Sequence, residues 1–165
     1  MLPAAKSIGF LVNPTSAYSK WELNAAQGAA RAAGVQLLIG EASNVRDFDE
    51  AFKGLATADA ALISGDALFL GSEIVALANR RAIPAIYLYR NSVAAGGLMS
   101  YGIKPQENWG RIGEYAGRIL NGERPSDLPV QQPTNFNLVI NLRTAKALGL
   151  TIPPTLLARV DEVIE

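Results

Sequence analysis

Over its first 90 positions the chain alternates between short, near-continuous apolar runs and longer stretches in which apolar residues recur every three or four places. The runs at 7–12, 35–39, 60–64 and 85–89, rich in Val, Ile, Leu or Tyr, read as strands. Between the first two, Ser19 followed by Glu22 has the spacing of a capping box and opens an Ala-rich helix that runs to Ala33, where Gly34 supplies a left-handed stop. Asn44 is placed to cap a helix carrying Phe48, Ala51, Phe52 and Leu55, and 70–81 sets Ile74, Leu77 and Ala78 on one helical face. Four strands thus alternate with three helices. Strands apolar on both faces, separated by amphipathic helices, predict an α/β fold: a doubly wound, mostly parallel, Rossmann-like sheet covered on both sides.

Beyond Tyr89 the alternation lapses into Arg90-Asn91-Ser92 and Ala94-Ala95-Gly96-Gly97, which reads as a crossover or hinge, followed by a short apolar run at 98–101. Pro105 starts a helix with Trp109, Ile112, Ala116, Ile119 and Leu120 on one stripe, ended by Asn121-Gly122. A polar connector with Pro125, Pro129 and Pro133 leads to Phe136, Leu138 and Ile140, whose alternation with Asn137 and Asn141 predicts a strand solvated on one side, near a sheet edge. Pro153-Pro154 then opens a last predicted helix through Leu156, Leu157, Val160, Val163 and Ile164.

Composition narrows the chemistry. At 165 residues with 49% hydrophobic content, one core and one domain are expected. Fifteen Lys and Arg balance fifteen Asp and Glu, so no global field favours nucleic acid or an anionic membrane. With neither His nor Cys, thiol nucleophiles, Ser-His-Asp relays and zinc or haem sites that use those ligands are excluded, while carboxylate sites for hard cations stay open. Phosphate-loop, dinucleotide and nucleophile-elbow motifs are missing from the sequence, so an enzyme would have to use a group such as Asp66 as general base without an evident second partner. No cofactor is implied, and the reading is not an enzyme. The absence of Cys fits a reducing cytosol and a periplasm equally. No apolar stretch approaches the roughly 20 residues of a membrane span, and residues 1–5 are too short for a secretory signal.

The segment AGGLMSYG from Ala95, and GRILNGERPSDLPVQQPTNFNLVINLRTAKALGLTIPPTLLARVDEVIE after it, resemble the C-terminal half of the ABC-transporter substrate-binding proteins that include tryptophan- and tyrosine-binding receptors. IGFLVNPTS, AAGVQL, DFDEAF, DALFL and PAIYLYR resemble the second lobe of the same family. The resemblance implies a type I periplasmic-binding-protein fold, two lobes joined by three crossings, of which this chain holds the second. On that basis 6–90 and 123–165 form the C-terminal lobe, and 97–122 belongs to a first lobe not included in this sequence. The implied partners are a small polar solute, with an amino acid foremost, and an ABC permease. The implied location is periplasmic or extracytoplasmic. The helix carrying Trp109 would lack its sheet, so its apolar face is expected to be covered by its own lobe or, in a homodimer, by a second copy through 97–122.

In open α/β sheets ligands bind beyond the carboxyl ends of the strands. The loop after the first strand offers Asn13, Thr15, Ser16 and Tyr18, whose amide, hydroxyls and neighbouring backbone N–H groups suit a carboxylate; turn and cap chemistry explains the same residues. Ser64 and Asp66 end the third strand, where a carboxylate would pair with a ligand ammonium or cap the next helix. Tyr89 and Arg90 end the fourth, placed for ring stacking and Arg–carboxylate pairing or for hinge packing. Tyr101 is assigned to core packing, and Trp21 and Trp109, on helix stripes, to the core or an interface. A standalone scaffold domain using the same sheet without ligand is the alternative of a different class.

Overall fold

The computed structural model describes the backbone of residues 1–165 and all side chains outside 105–107. Seven strands form one sheet, β1 (Ser7–Val12), β2 (Gln36–Glu41), β3 (Ala60–Ile63), β4 (Ala85–Tyr87), β5 (Met99–Ile103), β6 (Phe136–Asn141) and β7 (Glu162–Ile164), in the order β2-β1-β3-β4-β5-β6-β7. The first five are mutually parallel, β6 runs antiparallel to β5, and β7 is parallel to β6. The sheet is mostly parallel and doubly wound, as the apolar runs predict.

Right-handed crossovers fix the layers. Helix α1 (Ser19–Ala33) connects β1 back to β2 and packs on one face; α2 (Phe48–Gly54) and α3 (Ser72–Arg80) carry the chain the other way and pack on the opposite face. The core lies under α2 and α3, where Phe52, Leu55, Phe69 and Ile74 meet Leu11, Ile63, Ala85 and Tyr87 from the strands. Local signals set several ends as predicted. Gly34 stops α1 with φ of 67°, its N–H bonding back to the Ala30 and Arg31 carbonyls. Asn44 forms a full capping box with Asp47, first around a 3-10 turn at Val45–Asp47 and then into α2.

Four expectations need correction. Tyr18, not Ser19, is the cap residue of α1, and no side chain caps it: the Ser19 hydroxyl turns to the Pro14 carbonyl, and Glu22 accepts from Ser64. Residues 90–94 are not open chain but a short helix, α4 (Arg90–Ala94). The strand β6 is interior, flanked by β5 and β7, and its exposed Phe136 and half-buried Asn137 lie at its start. The last predicted helix shrinks to α7 (Pro154–Leu157), after which Glu162–Ile164 pairs with β6 as the edge strand. A short helix, α6 (Leu142–Ala147), joins β6 to this ending.

Within 97–122 the backbone does two things. Met99–Ile103 is hydrogen-bonded between β4 and β6 inside the sheet. The helix α5 (Pro105–Leu120) then departs from it, leaving Trp109, Ile112, Ile119 and Leu120 exposed, the last at 86%.

Candidate functional site

The carboxyl ends of β1, β3, β4 and β5 share one edge, and the antiparallel β6 contributes its first residues there, because Phe136 pairs with Ile103. Two groups of side chains occupy this edge. In the first, Asn13 organises the loop after β1: its Oδ1 accepts from the Thr15 N–H at 3.0 Å and the Thr15 hydroxyl at 2.7 Å, an Asx turn, while its Nδ2 donates to Asp66 Oδ1 at 3.2 Å. Asp66 caps a 3-10 turn at Ala67–Phe69, accepting the Leu68 N–H at 3.0 Å. That N–H, opposed by desolvation and aided by the Asn13 and Ser16 side chains, holds the Asp66 carboxyl below the usual carboxylate range. Asp66 is therefore an anion at the strand ends, and Asn13, Ser16 and Thr15 are gathered around it.

The second group lines a cavity of about 420 Å³ at the ends of β4 and β5, where Tyr89 and Arg90 share the lining with Lys104, Trp109 and Asn137. Arg90 is held in a two-point contact with Glu162 of β7, Nε donating to Oε2 at 2.7 Å and Nη2 to Oε1 at 2.5 Å. The pairing pushes the Arg90 pKa up and the Glu162 pKa down. Gly102 permits the cavity's floor: a Cβ there would come within 2.0 Å of the Leu88 carbonyl oxygen.

Of the eight predicted residues, Asn13, Thr15, Ser16 and Asp66 form one hydrogen-bonded cluster, and Tyr89 and Arg90 line the neighbouring cavity. Ser64 is different: although its Oγ also accepts the Asp66 N–H at 3.2 Å, it donates toward both Glu22 carboxylate oxygens at 3.0 Å, on the α1 face of the sheet. Tyr18 stands out at 74% exposure, with a backbone N–H bond to Ser16 Oγ at 3.4 Å. Three aromatics lie outside the core: Trp21 and Trp109 are 71% and 68% exposed, which leaves an interface role for them, and Tyr101, 52% exposed, stacks on Phe136 with ring centroids 5.4 Å apart. Sequence reasoning missed Glu162, which lies 72 residues from its partner, and Lys104 and Asn137, whose relation to Tyr89 exists only through the β4–β5–β6 pairing. Among the described residues no cluster of acidic side chains is arranged to hold a metal ion.

With this geometry, comparison with known proteins is informative. Residues 1–164 match the ABC transporter substrate binding protein family. The chain belongs to that family. A tyrosine-binding protein of Clostridioides difficile is 27% identical over 153 residues, covering 91% of this chain and 44% of the relative. A conserved domain protein from Vibrio cholerae superposes with a TM-score of 0.91 at 28% identity, covering 98% of this chain and 56% of that one. A ligand-free, open substrate binding protein with adhesive properties from Clostridium difficile gives 0.73 at 26% identity, covering 98% and 55%. A Streptococcus pneumoniae ABC domain in complex with L-Trp shares the fold, with a TM-score of 0.88 at 24% identity over 98% of this chain and 57% of that chain. The chain spans about half the length of the relatives it matches. Members of the family are substrate-binding proteins and not enzymes, and they are typically extracytoplasmic. Among the described residues no helix is long and apolar enough to cross a membrane.

Proposed function

We propose that this chain forms one wall of an interlobe cleft in a solute receptor for an ABC importer, and that the solute is a small zwitterion of the amino-acid class. The observation that carries the reading is the pair of opposite charges on one strand edge: Asp66, kept ionised by its hydrogen bonds, and Arg90, held in place by Glu162. An ammonium on Asp66 and a carboxylate toward Arg90 or Lys104 would place a side chain between Tyr89 and Trp109. Asn13, Thr15 and Ser16 shape the Asp66 end, and Ser64 and Tyr18 border it. The relative named for tyrosine binding supports an aromatic amino acid first.

In this reading capture is a closure of two lobes, 6–90 and 123–165 contributing this wall and 105–122 packing with the opposite one, and the closed form engages a permease at an extracytoplasmic membrane face. A homodimer, the other reading of that face, would pair through 97–122. Calorimetric titration with a panel of amino acids, on this chain and on a form carrying a complementary first lobe, tests the reading. Binding without chemical change, at least about tenfold or 1.4 kcal/mol tighter in the two-lobed form, is expected. Equal affinity in both forms would overturn the two-wall account, and no binding in either would overturn the amino-acid reading.

A further inference from the structure

The cavity at the ends of β4 and β5 has a buried end that the charges at the strand edge leave unused, and three polar side chains meet there. Ser100 and Gly102 alternate onto one face of β5, and Asn137 of β6 stands directly opposite Gly102 in the antiparallel ladder, while Tyr101 and Phe136 stack on the other face. Helix α4 lies against the first of these faces, tied to it where Asn141 Nδ2 donates to the Val93 carbonyl at 3.3 Å, and it adds Ser92. Ser92, Ser100 and Asn137 all line the cavity.

Ser100 is 1% exposed and Ser92 6%, yet neither hydroxyl, nor the half-buried Asn137 amide, has a hydrogen bond among the described residues. Gly102 is one cause. It brings no side chain to pair with Asn137 across the strands, and the Leu88 carbonyl oxygen excludes one there. Buried polar groups are normally satisfied, so groups left open toward a cavity are matched to what enters it, a water or a ligand atom. No charge stands among the three: Arg90 is engaged by Glu162, and Lys104 is exposed two residues beyond Gly102. An ionised group would therefore be desolvated there without a counter-charge, and an apolar one would leave the amide and both hydroxyls unpaired. A neutral group that both donates and accepts satisfies them. The lining also holds Tyr89, Trp109, Leu70 and Leu88, surface that suits a ring on the way to that group.

We infer that Ser92, Ser100 and Asn137 form a subsite for the phenol hydroxyl of an aromatic amino acid and so determine selectivity for it over the same ring without the hydroxyl. The inference rests on the amino-acid reading above and adds to it which part of the ligand is read, and by which residues. The phenol donates and accepts, as the Asn137 amide does, and the two serine hydroxyls rotate to complete whichever bond is open. A hydrophobic pocket alone separates such a pair of ligands weakly, whereas a pocket whose buried polar groups are left unpaired by the wrong ligand separates them strongly.

Calorimetric titration of the two-lobed form with tyrosine and phenylalanine reads the outcome. Tyrosine is expected to bind at least about tenfold tighter. Asn137→Leu removes donor and acceptor at similar volume, and Ser100→Ala removes one oxygen; each should lower the tyrosine-to-phenylalanine affinity ratio at least about threefold, with a cooperative melt retained. The double variant should bring the ratio close to one. A merely structural role would weaken both ligands alike and leave the ratio unmoved, and the small Ser100→Ala change keeps the test open if Asn137→Leu fails to fold. Tyrosine and phenylalanine bound alike by the unaltered protein, or a ratio that neither variant moves, overturns the subsite and leaves the amino-acid reading standing. No binding of any amino acid overturns that reading, and the subsite with it.

Discussion

Asp66 combines two roles that a single substitution separates. Its Oδ1 caps the 3-10 turn after β3 by accepting the Leu68 N–H, and its charge is the anion at the strand edge. Asn is about as good a cap as Asp, whereas Ala is not, with a cost of about 1 kcal/mol. Asp66→Asn should therefore change the denaturant midpoint little, while in a two-lobed form it weakens binding of an amino acid at least about tenfold by removing the ammonium's counter-charge. Asp66→Ala should lose both stability and binding. Equal affinity for the Asn variant, measured by titration calorimetry, would assign Asp66 to structure only. The residue-level reading had both roles in view because Ser64-Gly65-Asp66 follows an apolar run. It could not show that Ser64 turns aside to Glu22, since a hydroxyl between two sheet faces is indistinguishable in sequence from one aimed at the edge.

At the scale of elements, what was legible was local and what was not depended on partners. Gly34, the Asn44 cap and the Pro105 start act over a few residues, so they read correctly, although the Asp47 half of the Asn44 capping box was not foreseen. Val160, Val163 and Ile164 fit a helical spacing, but 162–164 pairs with β6 instead, because a strand whose residues lie 23 positions earlier offers it an unpaired edge. Two carboxylates tie elements together in a way that pH should expose. Asp59, at the start of β3, accepts the Lys6 and Ser7 N–H groups at 2.8 and 2.9 Å and so anchors the start of β1; Asp47 accepts the Ser43 and Asn44 N–H groups at the start of α2. Chiefly through the Lys6 and Ser43 N–H bonds respectively, both carboxyls are lowered from their ordinary value of 3.8. A folded-state pKa below the unfolded one stabilises the fold above the unfolded value, and that contribution is lost as pH falls through the folded one. With no His in the chain, the urea midpoint should hold between about pH 7 and 5 and fall below about pH 4. Asp59→Asn should shallow that fall; an identical acid limb in the variant would remove Asp59 from the account.

At the scale of the whole molecule, 97–122 holds two parts with different cover. The resemblance grouped 97–122 as one segment, and sequence gave no reason to split it, since a five-residue strand between Gly97 and Pro105 carries too few positions to declare its neighbours. The structure pairs Met99–Ile103 on both sides, while α5 beyond it keeps its apolar stripe in solvent. The two parts should therefore open with different free energies. Amide exchange in 99–103 should match that of β3 and β4, because opening β5 breaks both its neighbours' ladders and uncovers buried Ser100 and Gly102. Amides of α5 from Trp109 to Leu120 lack such cover within one copy and should exchange orders of magnitude faster at concentrations where the chain is monomeric. Concentrating the sample should slow exchange in α5 while leaving β5 unchanged if two copies pair through 97–122, since only α5 then gains a partner. Exchange of 99–120 as a single unit, at any concentration, would return β5 to the segment that α5 belongs to and leave the sheet to be closed between β4 and β6 by something else.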